Sequence, residues 1–309
     1  MAGTKRSREA SMARIGFIGL GNMGMPMAVN LKKAGHKITG LDLVQANMDK
    51  AGREGISLAK DAADCAKGAD FVITMLPAGK DVLTVYGSGI LDAADKGTVF
   101  IDCSTIDVDS AREAHELARM AGMGSLDAPV SGGVGGAEAG TLTFMAGGGA
   151  GDFAKAEPIL KAMGKRIVHC GEGGAGQAAK ICNNMILGIS MIAVGEAFVL
   201  AEKLGLSHQA LFDVASTSSG QCWSLTSYCP VPGPVPASPA NNGYKPGFAA
   251  KLMLKDLLLS QEAARASGAV TPLGAEATRH YSEFAEDGQG DVDFSGIINA
   301  IRDKTDTLS

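Results

Sequence analysis

The chain has 309 residues, a formal charge of −5, and 46% hydrophobic and 20% charged residues, which is enough for two domains, each with its own core. No long run of one charge sign interrupts it, which argues against nucleic acid or an anionic membrane as a partner. The six cysteines (Cys65, Cys103, Cys170, Cys182, Cys222, Cys229) form no C-x-x-C pair; this argues against a structural metal or disulfide framework and suits a reducing compartment, the cytoplasm or a mitochondrial matrix.

Residues 1–11 are polar and basic with no apolar core, so they read as an N-terminal extension or tag rather than a secretory signal. From Arg14 the chain alternates strand and helix. Strands are expected over Arg14–Gly19, His36–Leu41, Asp70–Thr74 and Thr98–Asp102, with further ones near Ser125, Thr141–Ala146 and Arg166–His169. Helices are expected from Gly24 to about Ala34, Gln45–Glu54, Asp109–Ala121 and Asp152–Met163. This βαβ spacing predicts a doubly wound parallel sheet in a first domain of residues 12–175.

After Gly176 the apolar period becomes helical and no strand is expected. Helices are predicted over Gln177–Leu204, Ser207–Ser216, Phe248–Ala266, Pro272–Glu286 and Phe294–Thr305. Between them Cys229–Pro246 is too rich in Pro, Gly and Asn for a helix interior. Residues 176–309 therefore read as an all-α substrate and oligomerisation domain, entered through one long interdomain helix. Ile181–Ala201 is apolar, but Asn183, Asn184 and Glu196 interrupt it, so it reads as a buried helix rather than a membrane span. The helical half has more apolar helix surface than it can bury alone, so a homo-oligomer, dimer or tetramer, is expected.

Gly19-Leu20-Gly21-Asn22-Met23-Gly24 fits G-x-G-x-x-G, and its surroundings fit as well: a strand before, a helix after, and Asp42 at the end of the next strand. The first glycine makes the turn, the second admits a pyrophosphate and the third lets helix pack on strand, with the helix N-terminus facing the diphosphate. Asp42 is placed to accept from the ribose hydroxyls and to repel a 2′-phosphate, which favours NAD over NADP; an ordinary strand-end or cap residue is the lesser reading of it alone. The first domain is thus expected to be a Rossmann-type NAD-binding domain. Leu76-Pro77 and Ser104-Thr105 each follow a strand, so both loops should border the cofactor.

Asp127-Ala128-Pro129-Val130-Ser131-Gly132-Gly133 ends in a turn whose backbone N–H groups and hydroxyl suit a carboxylate or phosphate, although taken alone a plain tight turn after a strand is the stronger reading. Gly174-Ala175-Gly176-Gln177-Ala178-Ala179-Lys180 opens the long helix, and Asn184 follows Lys180 by four residues, on the same helical face. The five histidines are dispersed and none lies in these segments.

Four segments in this order, Gly19–Gly24, Asp127–Gly140, Gly174–Asn184 and Lys255-Asp256-Leu257, resemble the β-hydroxyacid dehydrogenases, and the resemblance runs from about Arg14 to Ile301. It implies NAD-dependent oxidation of a small hydroxy acid, with Lys180 as general acid/base and Asn184 holding lysine and substrate. It also implies that Ser131, Gly132 and Gly133 bind the substrate carboxylate. Gly19, Gly21, Asn22, Met23, Gly24, Asp42, Leu76, Pro77, Thr105 and, from the second domain, Lys255 would contact NAD. Asp256 would be an orienting partner within its own helix, and Trp223 and Phe248 would line the substrate pocket; by themselves these two aromatics read equally as core. No metal is expected. Asn183 stays open between capping, packing and substrate contact. A second member of the family with a different small substrate is the competing expectation. An idle dinucleotide-binding protein would be expected to have lost Lys180, Asn184 or the Ser-Gly-Gly loop, and all three are present.

Overall fold

The computed structural model describes residues 12–307; the expected extension over residues 1–11 lies outside the described residues. The chain divides into two compact units, the first ending at Lys180 and the second starting at Ile181. That division falls within the long helix Ala175–Lys203.

The first unit is built on nine strands: β1 Arg14–Ile18, β2 Lys37–Leu41, β3 Ser57–Leu58, β4 Phe71–Thr74, β5 Val99–Asp102, β6 Gly124–Asp127, β7 Val130–Ser131, β8 Leu142–Gly147 and β9 Gly164–Gly171. They form one sheet in the order β3-β2-β1-β4-β5-β6-β8-β7, with β9 paired to β8. The order reverses between β1 and β4, which makes the carboxyl ends of these two strands the switch point where doubly wound sheets bind ligands. Neighbouring residues on the strands face opposite sides. Phe17, Ile73 and Ile101 enter one core with Leu31 and Phe144, while Ile18, Val72 and Phe100 enter the other with Tyr86 and Ile90. Burial on both faces explains the continuous apolar runs in these strands.

The sheet departs from the all-parallel expectation at one end. From β3 to β6 all pairs are parallel, but β8 runs antiparallel to both β6 and β7, and β9 returns parallel to β8. Between β7 and β8 lies only the seven-residue helix Gly133–Ala139, too short for a crossover that would bring the chain back in the same direction. The two-residue strands β3 and β7 carry no periodicity and were not expected.

The second unit holds the helices His208–Ala215, Ala250–Ser267, Pro272–Phe284 and Ile297–Thr307 with the rest of the long helix. Its described residues contain one isolated bridge, Ala249 to Asp293, and no strand. Met191, Met253, Leu257, Tyr281 and Phe294 form its core. At Gly188 an added Cβ would stand 3.1 Å from Leu257 Cδ2, so a small residue lets the long helix approach Ala250–Ser267 closely. The Pro-rich stretch holds a short 3₁₀ turn, Pro239–Asn242. Side-chain bonds tie it down: Ser238 donates to the Cys229 carbonyl, and Tyr244 to the Pro230 carbonyl. By length and composition the helix Ala175–Lys203 is long and apolar enough to cross a membrane, yet half of its most apolar window is buried within the protein.

Candidate active site

The turn after β1 shows why its glycines are needed. Gly19 has φ +94°, and a Cβ there would lie 2.2 Å from the Met75 carbonyl oxygen; one on Gly24 would lie 1.9 Å from the Gly19 carbonyl oxygen. Both are required by the fold. A Cβ on Gly21 would meet no protein atom within 4 Å, so the fold does not demand that glycine. It leaves open space at the point where a pyrophosphate would approach, and the turn therefore fits a dinucleotide. Asn22 and Met23 complete the turn before the helix Gly24–Lys33. Asp42 accepts from the Leu20 N–H through Oδ2 and from the Val44 N–H through Oδ1, each at 2.7 Å. One lone pair on each oxygen remains for ribose hydroxyls.

The loops after β4 and β5 are joined by a buried carboxyl group. Asp102 Oδ1 accepts from the hydroxyls of Thr74 at 2.7 Å and Ser104 at 2.6 Å, and Ser104 Oγ in turn accepts from the Leu76 N–H at 2.8 Å. Leu76 and Ser104, the neighbours of Pro77 and Thr105, are thereby tied together at the ends of β4 and β5, beside the switch point. Asp102 is 3% exposed and its Oδ2 has no hydrogen-bond partner. Burial pushes its pKa above the ordinary carboxylate range, against the opposing hydrogen bonds from Ser104 and Thr74.

The helix carrying Lys180 starts against the ends of β5 and β6. Asp127 accepts from the Gly174 N–H through Oδ1 and from the Gln177 N–H through Oδ2, both at 2.8 Å. Gln177 donates through Nε2 to the Ser104 carbonyl at 2.7 Å and accepts through Oε1 from the Ile106 N–H at 3.2 Å. Lys180 itself is 7% exposed. Ser131 ends β7, half-buried, and Gly132 and Gly133 follow with φ of +131° and +61°. These values favour glycine and turn the backbone sharply into the helix Gly133–Ala139.

In the second unit Asn184 is 2% exposed and donates through Nδ2 to Asp256 Oδ2 at 2.5 Å, while Asn183 Nδ2 donates to Asn184 Oδ1 at 3.0 Å. Asp256 therefore bonds to a side chain of another helix and not, as expected, within its own, and Asn183 bonds its neighbour. Trp223 and Phe248 belong to one aromatic series. Trp223 stacks on Tyr228 (centroids 4.9 Å apart), Tyr228 on Phe294 (5.3 Å), and Phe248 meets Phe294 edge-on (5.7 Å). Asp293 locks the series by accepting from the Tyr228 hydroxyl and the Gly247 and Phe248 amides. Lys255 precedes Asp256 on the helix Ala250–Ser267 and is half-buried. Among the described residues no cluster of three or more His, Cys, Asp or Glu side chains is arranged to hold a metal.

Residues 14–171 match the family described as the NAD binding domain of 6-phosphogluconate dehydrogenase. Residues 174–301 match that described as NAD-binding of NADP-dependent 3-hydroxyisobutyrate dehydrogenase. A probable 3-hydroxyisobutyrate dehydrogenase of Mycobacterium tuberculosis is 52% identical over 96% of this chain and 100% of its own length. The chain belongs to the β-hydroxyacid dehydrogenase family. The solved 3-hydroxyisobutyrate dehydrogenase of M. tuberculosis with L-serine superposes with a TM-score of 0.92 at 52% identity, covering 94% of this chain and 99% of that one. An NAD-dependent L-serine dehydrogenase of Pseudomonas aeruginosa is 47% identical over 95% of this chain and 99% of its own. This family member is an NAD-dependent oxidoreductase acting on a small hydroxy acid.

Four residues of this dehydrogenase have partners that its sequence does not reveal. Asp127 and Gln177 lie within the segments Asp127–Gly140 and Gly174–Asn184, but the bonds between them and to Ser104 span 50 and 73 positions, which no local pattern reveals. Asp102 ends a strand and showed no signal. His115 lies outside the motifs, yet the fold brings its Nε2 within 2.9 Å of Asp127 Oδ1.

Proposed function

We propose that the chain oxidises 3-hydroxyisobutyrate to methylmalonate semialdehyde, a step of valine breakdown, with Lys180 as the proton-transferring group. Full-length similarity to dehydrogenases named for that substrate carries the reading. Bound NAD supplies the hydride acceptor. The residues around the Gly19–Gly24 turn fit that dinucleotide, and Asp42 at the end of β2 disfavours a 2′-phosphate by like-charge repulsion.

The remaining chemistry falls to side chains. Lys180 takes the hydroxyl proton as the carbinol carbon is oxidised, and returns it in the reverse direction. A lysine can do so near neutrality only where its pKa falls from about 10.4, and burial works in that direction. Ser131 and the amides of Gly132 and Gly133 hold the substrate carboxylate. Asn184, fixed by Asp256, orients the lysine and substrate. Trp223 and Phe248 form apolar wall for the substrate methyl group, and Leu76, Pro77, Thr105 and Lys255 contact NAD.

We also infer a homo-oligomer. Ile186, Leu200 and Leu204 are 63%, 59% and 74% exposed, and with Ala193 and Ala197 they recur at helical spacing on one face of the long helix and its end. Free thiols at all six cysteines support a reducing compartment, the cytoplasm or a mitochondrial matrix.

The test is a substrate panel with NAD⁺ and 3-hydroxyisobutyrate, L-serine, 3-hydroxypropionate and glycerate, run on the wild type and on Lys180→Ala. The expected result is the highest kcat/KM with 3-hydroxyisobutyrate and a loss of about 10³-fold or more in Lys180→Ala, with NAD still bound. Equal or better turnover of L-serine defeats the substrate assignment. A Lys180→Ala variant that keeps more than about a tenth of kcat defeats the role of the lysine.

A further inference from the structure

A helix leaves its first four N–H groups without intrahelical acceptors, and a nearby polar side chain normally meets them. Here Gly174, with φ +86°, stands just before the helix and has no side chain to offer. The acceptor comes instead from the end of β6, where the two oxygens of Asp127 take the Gly174 and Gln177 N–H groups. Gly176 brings the helix down onto the strand ends: a Cβ there would lie 2.3 Å from the Met145 carbonyl oxygen and 2.5 Å from that of Asp127.

Gln177 is fully buried and both ends of its amide are used, toward Ser104 and Ile106. A flipped amide would set N–H against N–H and oxygen against oxygen, so one orientation is imposed. Those two partners bracket Thr105. Lys180 follows Gln177 by three residues, one helical turn on.

We propose that Asp127 and Gln177 are positioning residues that lock the Lys180 turn to the loop after β5, so that the amine is held in register with the cofactor loop. The inference rests on Lys180 as the proton carrier. Neither residue touches the reacting atoms; they act through the lysine. Misplacing a reacting group by about 1 Å costs on the order of a hundredfold in rate, so the coupling should appear in kcat and leave cofactor affinity alone.

Gln177→Met keeps the volume and removes both side-chain hydrogen bonds. Gln177→Glu keeps the shape, but its carboxylate opposes the Ser104 carbonyl until it is protonated. The charged or titratable groups around it are Lys180, one helical turn on, Asp127, which accepts the residue's own N–H, His115 behind Asp127, and Asp102, two residues before Ser104. Burial, the Ser104 carbonyl and the Asp127 carboxylate favour the protonated form of the new side chain, and the Lys180 ammonium opposes them.

The experiment measures kcat, KM and the Kd for NAD⁺, with folding followed by circular dichroism. For Gln177→Met, kcat should fall about 10- to 100-fold with the NAD⁺ Kd within about threefold of wild type. For Gln177→Glu, the ratio of its kcat to the wild-type kcat should rise as the pH is lowered from about 8 to about 5.5, because protonation restores a donor to the Ser104 carbonyl. An unchanged kcat in the Met variant, or a loss matched by an equal loss of NAD⁺ affinity, overturns the proposal. If the Met variant does not fold, the Glu ratio decides, and a ratio flat with pH overturns it. Lys180→Ala assayed alongside separates the two readings. Turnover in that variant removes the lysine's role, whereas an inert Lys180→Ala beside a fully active Gln177→Met removes only the positioning role.

Discussion

Asp102 ends β5 with one oxygen accepting two hydroxyls and the other without a partner. Burial raises its pKa above that of the unfolded chain, so the native state holds this proton to higher pH. Its contribution to stability is fully present below the unfolded pKa and is lost as pH rises through the native value. Asp102→Asn keeps the shape and one acceptor and removes the titration. Denaturation of both proteins between about pH 4 and 8 should show the wild type losing stability relative to the variant as pH rises; parallel curves would refute this. At this scale the motif residues were legible in the sequence and their partners were not. Gly19, Gly24 and Asp42 sit in a local strand-turn-helix-strand unit, so their places in the turn follow from chain order. Asn184 and Asp256 are 72 positions apart, and no local pattern pairs them.

The long helix was legible as an element because its apolar period runs over many turns, and its opening glycines mark its start. Its attachments were not. Near its end Glu202 accepts from Arg302 through both oxygens and from His208, at distances of 2.6 to 3.2 Å, which ties the helix to Ile297–Thr307. Arg302, and then His208, hold the Glu202 carboxyl below the usual range. That contribution is present above the unfolded carboxylate pKa and is lost as pH falls through the native one. Because both side chains remain partly exposed, Glu202→Gln should cost about 1 kcal/mol at neutral pH and less at pH below the native pKa. Urea denaturation at two pH values checks this. Strand direction at the far end of the mostly parallel sheet is not legible in the sequence either: periodicity marks that a strand exists, and its direction depends on what the connection spans.

At the scale of the whole molecule the exposed apolar face of the long helix has the composition of a contact surface. Sedimentation should show the wild type as an oligomer, and Leu200→Glu combined with Ile186→Glu should shift it toward the monomer by placing charges where an apolar face is buried. A wild-type monomer across the micromolar range would remove the oligomer from the proposed function. The sequence alone determined the two-part organisation, the dinucleotide turn and the family. These depend on periodicity and on short segments whose geometry is local. Only the tertiary structure decided the antiparallel end of the sheet, the pairing of Asn184 with Asp256, the aromatic series behind Trp223 and the seating of the Lys180 helix by Asp127 and Gln177. Each of these is a contact between residues far apart in the chain, chosen by packing and by the need to satisfy buried hydrogen-bonding groups.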